Sequence, residues 1–234
     1  MKKNIDFILK APIAHRGLHD AKAPENSLAA FRRAMEHGYV IELDVHMLAD
    51  GKIVVFHDDY LKRMTGVDAA IKDETYTELS KLRLKDTSEK IPLLTEVLDL
   101  VKGKVPIIIE IKYDRPAREI CPALIKIMSD YTGQFVIKSF DPKIVFYFRR
   151  KAPYIGRGQL ATKKNFFLQN LCFNFLTKPD FVSYDIRYLP KKRVERIRHK
   201  MPVLGWTVRN KNDLVRAKKN CDNFIFENIS IWIS

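Results

Sequence analysis

Three clusters in the first half of the chain set acids, imidazoles and cations at strand spacing. They are His15-Arg16-Gly17, then Glu42-Leu43-Asp44 leading to His57-Asp58, then Glu110-Ile111-Lys112. Residues two apart on a β-strand point to the same face, so Glu42 shares a face with Asp44, and Glu110 with Lys112. Each cluster lies near the end of an apolar run that reads as a strand. Converging on one opening, these groups would make a divalent-metal site for phosphate chemistry. Glu42, Asp44 and Glu110 are hard oxygen ligands suited to Mg²⁺ or Ca²⁺. Arg16 and Lys112 would bind a phosphate and offset the charge growing on its oxygens. His15 and His57 can exchange a proton near neutral pH, one as base towards the attacking hydroxyl or water, the other as acid towards the leaving alcohol. Singly, each residue has a bland explanation: a solvated strand end, a Glu-x-Lys ion pair, a satisfied polar histidine. Their joint occurrence in strand order carries the reading.

The elements that must position them alternate along the chain. Strands are expected at Ile13–His15, Tyr39–His46, Ile53–His57, Pro106–Lys112, Phe135–Phe140, Ile155–Ala161, Phe181–Asp185, Pro202–Val208 and Phe224–Glu227. Helical patterns fall between most of them: Ser27–His37 after Asn26 as N-cap, Thr95–Lys102, Arg115–Tyr131, Pro142–Lys151, Lys191–Lys200 and Asn212–Lys219. This alternation predicts an α/β fold, a TIM-like (β/α)8 barrel whose working face is at the C-terminal strand ends. Nine strand candidates compete for eight places, so one is peripheral. Asp50-Gly51 is a tight-turn signal that leaves no room for a helix, which makes the barrel locally irregular. Residues 59–90 read as a small insertion near the mouth, after the third strand, within a single domain spanning 1–234.

The 234 residues are 46% hydrophobic, enough for one sizeable core and too few for two comfortable domains. The formal net charge of +14 attracts anions: phosphate esters, nucleic acid or an acidic membrane face. Three scattered cysteines, Cys121, Cys172 and Cys221, match neither a disulfide framework nor a zinc spacing. The apolar stretch after Met1-Lys2-Lys3 is broken by Asp6 and Lys10, and no run reaches the roughly 18–20 apolar residues of a membrane span. Cytoplasmic placement is expected on that ground, with peripheral contact to the inner face of the membrane as an option.

Ala14-His15-Arg16-Gly17, Pro24-Glu25-Asn26-Ser27, Ile41-Glu42-Leu43-Asp44-Val45, Asp50-Gly51 and Val54-Val55-Phe56-His57-Asp58 stand in an order that resembles the glycerophosphodiester phosphodiesterase family. Glu110-Ile111-Lys112, Ser139-Phe140-Asp141-Pro142 and Gly205-Trp206-Thr207-Val208 continue it over nearly the whole chain. The resemblance implies metal-dependent hydrolysis of glycerophosphodiesters to an alcohol and glycerol 3-phosphate. It carries the metal ligands onto Glu42, Asp44 and Glu110, the acid and base onto His15 and His57, and the phosphate-contacting cations onto Arg16 and Lys112. Lys112 thereby counts as both catalytic and substrate-binding. Glu25 and Asn26 fall at the rim in supporting roles, Glu25 reaching the metal or holding a ligand, or else serving as a first-turn acid favoured by the helix dipole. Two departures stand out. Ser27 replaces the common threonine, and the usual closing Thr-Asp pair is replaced in Phe224-Ile225-Phe226-Glu227-Asn228.

Other residues have weaker cases. Trp206 is expected at the mouth, as a pocket wall against the glycerol carbons. His46 is expected past its strand end in a loop, His19 in an exposed loop, and His37 and His199 at helix ends. Asn165–Leu176, rich in Phe and flanked by lysines, is expected to pack on the barrel, with docking on an anionic bilayer as the second reading. The basic run from Lys191 to Lys200 reads as a solvated face over a buried stripe, with an anionic surface partner as its second reading. The partner expected first is a small-molecule glycerophosphodiester, attacked by water or by its own glycerol 2-hydroxyl. Lysophospholipase D-type cleavage at a membrane is a second enzymatic reading, and a non-catalytic basic barrel binding acidic lipid a third. No basic-aromatic motif for nucleic acid is present, so none is expected as partner. The oligomeric state is left open.

Overall fold

The computed structural model of the protein describes residues 5–163 and 166–227. Eight parallel strands close into a barrel: β1 (Ile13–Ala14), β2 (Val40–Met47), β4 (Ile107–Ile111), β5 (Phe135–Ser139), β6 (Gly156–Ala161), β7 (Phe181–Asp185), β8 (Val203–Val208) and β9 (Asn223–Phe226). Closure comes from β1, which pairs with β2 on one side and β9 on the other. The ninth candidate is β3 (Ile53–Val55), which runs antiparallel to β2 and is joined to it through Asp50-Gly51, where Gly51 takes a φ of 78°. It lies outside the ring of parallel strands and accounts for the expected irregularity.

Helices Leu28–Glu36, Leu94–Val101, Ala117–Met128, Pro142–Lys151, Lys192–Arg198 and Lys211–Asn220 cover the outside. Their apolar faces and the outward strand residues form the main core, from Phe31 and Leu43 to Phe148 and Phe226. Inside the barrel a second core includes Ile13, Val40, Ile108, Val136, Phe181, Leu204 and Ile225, closed below by Phe7 and Ile8 of a short 3₁₀ turn. Inward positions thus change along each strand, from Val40 to Glu42 and Asp44, from Ile108 to Glu110, and from Val136 to Lys138. Period-2 alternation puts apolar residues at the bottom and charged residues at the top of the same inner face.

The helix at Leu28–Glu36 is capped by Ser27, whose hydroxyl accepts from the Ala30 N–H at 3.1 Å. Asn26, the expected cap, takes a left-handed φ of 58° and turns its side chain into the barrel. Residues 59–90 form short helical turns around a small core of their own, with Leu61, Met64, Ile71, Leu79 and Leu84 packed on Val54 and Phe56. The segment after β6 is two short turns, Phe166–Gln169 and Asn174–Thr177, where one packed element was expected. Leu171 and Thr177 are buried beneath it, whereas Phe166, Phe167 and Phe175 are exposed. Lys164, Asn165 and Asn228 lie outside the described residues. No helix of the described residues is long and apolar enough to cross a membrane.

Candidate active site

The parallel register sets the site. Asp44 is the pairing partner of Glu110 across β2 and β4, and Glu110 is the partner of Lys138 across β4 and β5. Three adjacent strands therefore raise these side chains into the barrel at one level, with Glu42 one inward step below Asp44. Glu42, Asp44 and Glu110 are buried, and each offers a carboxylate oxygen within 4.8 Å of the others. Their charge is matched by three cations. Lys112 Nζ lies 2.8 Å from Asp44 Oδ1 and 2.7 Å from Glu110 Oε1. Lys138 Nζ lies 2.8 Å from Glu42 Oε1 and 3.4 Å from Glu110 Oε2, and Arg16 Nε lies 3.4 Å from Asp44 Oδ2.

Burial alone would push the Asp44 and Glu110 carboxyls towards the neutral acid. For Asp44 the fields of Lys112 and Arg16, with His57 and His15, outweigh it and hold the group well below the usual carboxylate range. Glu110 is lowered in the same way by Lys112 and Lys138 against burial and Asp44. The converse holds for the lysines: burial disfavours their charge, yet the surrounding acids raise both Lys112 and Lys138 above the ordinary lysine value. Asp44 and Glu110 are thus carboxylates kept charged by the cations around them.

The donor set suits a hard divalent cation. Oxygens on opposite sides of Mg²⁺ are separated by about 4.0–4.2 Å, and of Ca²⁺ by about 4.6–5.2 Å. One oxygen from each of the three carboxylates lies within 4.8 Å of the others, close enough for a single such ion to reach all three. Carboxylate oxygens without thiol or imidazole among them are the ligands such ions prefer.

The turn after β1 brings in His15 and Arg16. The Arg16 N–H donates to Glu42 Oε2 at 3.0 Å from a left-handed residue, φ 55°. Gly17 follows with φ 78°, and a Cβ there would approach within 2.9 Å of Ala30 and Phe31, so only glycine fits the turn. His15 bonds Glu227 through Nδ1, while its Nε2 lies 3.9 Å from Glu42. His57 bonds Asp58 through Nδ1 at 2.6 Å. A carboxylate on Nδ1 fixes the tautomer and orientation of an imidazole and leaves Nε2 as its working nitrogen. His15, Arg16, His57, Glu110, Lys112, Lys138 and Trp206 all line one open cavity of about 870 Å³ at the barrel mouth.

Supporting residues complete the frame. Asn26 Nδ2 donates to Asp44 Oδ2 at 3.0 Å, holding that carboxylate. Glu25 points to neither helix nor acids. It bridges Arg16 at 2.7 Å and Arg63 at 2.6 Å, and Arg63 also grips Asp58. The insertion thereby clamps the partner of His57. His46, expected in a loop, is fully buried within β2, with Nδ1 2.9 Å from Asp114 and Nε2 3.2 Å from the His57 carbonyl. It steadies the strand end that carries His57. His19 is half-buried instead of exposed, and burial lowers its imidazole pKa. His37 and His199 close their helices as expected. Trp206 forms the far wall with Phe140, ring centres 5.7 Å apart and edge to face.

Sequence reasoning did not single out Lys138, Glu227, Arg63 or Asp58 as site residues. Lys138 carried a signal, as a cation two residues after Val136 on one strand face. Glu227 stood only as a departure at the chain's closing strand, and Arg63 had no periodic signal.

Fold and site together define a (β/α)8 barrel with a buried cluster of acids and cations open to solvent at its C-terminal mouth. Comparison with known proteins narrows the class. Residues 15–228 match the model of the Glycerophosphoryl diester phosphodiesterase family, and the chain belongs to that family. It is 39% identical over 162 residues to a glycerophosphodiester phosphodiesterase of Caldanaerobacter subterraneus subsp. tengcongensis, an alignment spanning 63% of this chain and 65% of that relative. It is 31% identical over 222 residues to YhdW of Bacillus subtilis, covering 88% and 89% of the two chains. Among solved structures, a glycerophosphodiester phosphodiesterase from Thermotoga maritima superposes with a TM-score of 0.77 at 29% identity, over 92% of this chain and 94% of that one. A phosphodiesterase from Oleispira antarctica, solved with its product sn-glycerol-3-phosphate, has the same fold, with a TM-score of 0.83 at 23% identity over 93% and 92%.

Proposed function

We propose that this chain hydrolyses glycerophosphodiesters to an alcohol and sn-glycerol 3-phosphate, using His15 and His57 for proton transfer beside a divalent cation held by Glu42, Asp44 and Glu110. The observation that carries this reading is the pairing of two carboxylate-oriented imidazoles with a buried acid triad around one cavity. A bound Mg²⁺ or Ca²⁺ would supply positive charge to phosphate oxygens and orient the reacting groups. Arg16 and Lys112 complement the anion, Arg16 with a planar fork and Lys112 as a compact charge. One histidine takes the proton of the attacking hydroxyl or water through Nε2, and the other returns a proton to the departing alcohol. Glu227 and Asp58 stabilise each imidazolium as it forms. Trp206 and Phe140 give the glycerol carbons an apolar wall.

The test is release of sn-glycerol 3-phosphate from a panel of glycerophosphodiesters, with EDTA and then with Mg²⁺, Ca²⁺ or Mn²⁺ restored. The proposal requires release that EDTA abolishes and metal restores. Release that EDTA leaves untouched would remove the cation from the reading, and no release from any member would remove the substrate class.

A further inference from the structure

Arg63 stands on the short turn Lys62–Thr65 of the insertion. That turn is anchored on both sides of it. Leu61 and Met64 are 1% and 2% exposed and pack with Val54 and Phe56 into the insertion's own core. The Arg63 side chain is left to line the catalytic cavity. A guanidinium is a planar fork with five N–H donors, and Arg63 spends it on two carboxylates. Along one edge, Nε and Nη2 donate to Asp58 Oδ2 and Oδ1 at 2.5 and 3.0 Å. Along the other, Nη1 and Nη2 donate to Glu25 Oε2 and Oε1 at 2.9 and 2.6 Å. Two bidentate contacts on one guanidinium fix the orientation of both acids.

Neither acid ends there. Asp58 Oδ1 accepts from His57 Nδ1 at 2.6 Å, and Glu25 Oε1 accepts from Arg16 Nη1 at 2.7 Å. The contacts His57–Asp58–Arg63–Glu25–Arg16 therefore join two arms of the site, one that moves a proton and one that meets the phosphate. The arms come from separate parts of the chain: Arg16 follows β1, and His57 follows β3. Asp58 is 24% exposed, so without the fork behind it water competes for the oxygen that orients His57. Behind His15, Arg209 grips Glu227 in a similar way at 2.7 and 3.2 Å, but its fork takes one carboxylate. Arg63 takes two, and they belong to different functions.

We propose that Arg63 is a positioning residue for the reaction: by holding Asp58 on His57 and Glu25 on Arg16, one guanidinium from the insertion sets the proton-transfer imidazole and the phosphate-binding cation in register with each other. The inference rests on the hydrolysis proposed above. Arg63 acts through its two acids and not on the reacting atoms. Its charge alone does not suffice, because a lysine ammonium lacks the fork that orients two carboxylates at once.

The test is a double-mutant cycle with kcat and KM separated, on the best substrate of the panel above, starting from glycerophosphoethanolamine. Arg63→Ala should lower kcat by about 10–100-fold, the usual cost of losing the group that orients a working side chain. It should also raise KM by up to about fivefold as Arg16 loses its brace. In a His57→Ala background the same change should alter kcat by no more than about twofold, because the imidazole it acts through is gone. Guanidinium ion at millimolar levels should restore part of the kcat of Arg63→Ala, and ammonium should not. Arg63→Lys should lose kcat as well; it covers the case in which Arg63→Ala fails to fold, and it is read through the same cycle. A kcat loss of equal factor with and without His57 would make Arg63 a brace for the fold alone and overturn the proposal. So would wild-type kcat in Arg63→Lys or in Arg63→Ala. Wild type that turns over no member of the panel would instead overturn the hydrolysis, and the positioning role with it.

Discussion

Replacing Lys138 by methionine probes the electrostatic frame of the site. The side chain is 2% exposed and its ammonium is held between Glu42 and Glu110 at 2.8 and 3.4 Å. Methionine keeps most of the volume and removes the charge. Breaking a buried ion pair from one side costs about 3–5 kcal/mol, because the abandoned carboxylate remains buried. In a chain of 234 residues each kcal/mol moves Tm by about 2–4 °C. Lys138→Met should therefore melt about 6–20 °C below wild type without divalent metal. A cation among the acids would restore the missing positive charge, so Ca²⁺ or Mg²⁺ should raise the Tm of the variant by more than that of wild type. Thermal unfolding followed by circular dichroism, with EDTA and with millimolar metal, reads both effects. A Tm within about 2 °C of wild type, or an equal metal increment in both proteins, would refute this electrostatic account.

His15→Ala and His57→Ala should each lower kcat by about 10²–10⁴ with fold and metal binding retained; steady-state kinetics showing less than tenfold would remove that residue from proton transfer. Glu227→Gln should lower kcat by about 10² and leave KM within a few-fold, since it loosens the His15 tautomer without touching the phosphate site; an unchanged kcat would make Glu227 a structural partner only. Burial works against ionisation of Glu25, but Arg63 and Arg16 hold it at about 2, down from 4.5. Its ion pairs therefore stabilise the fold above pH about 4.5, and that contribution is lost as pH falls towards 2. That lowering corresponds to about 3 kcal/mol, trimmed to about 2 kcal/mol by solvent around the 45%-exposed Arg63. Urea midpoints between pH 6 and 3 should fall more steeply for wild type than for Glu25→Gln, and parallel profiles would contradict this.

The barrel and its acids were legible because both are period-2 patterns. Val40, Glu42 and Asp44, like Ile108 and Glu110, announce an inward face that turns polar at its upper end. The role of β3 was less legible, since a hairpin leg and a barrel strand have the same short β-branched composition, and Asp50-Gly51 spoke for the turn but not for the sheet edge. Asn26 read as a helix cap by residue type, but its left-handed backbone sent the side chain to Asp44. Lys138 stood in the sequence without its partners, which only the β4–β5 register supplies. Glu227 reaches His15 across 212 residues, through barrel closure, and local spacing carries no trace of that.

Everything proposed for the site depends on Glu42, Asp44 and Glu110 caging one cation between two oriented imidazoles. Diffraction from a crystal soaked in Mn²⁺, collected at the manganese absorption edge, tests it most directly. One strong anomalous peak is expected within about 2.0–2.3 Å of an oxygen from each of the three carboxylates. A crystal saturated with Mn²⁺ that shows no peak there, with Lys112 and Lys138 still seated on the acids, would contradict it.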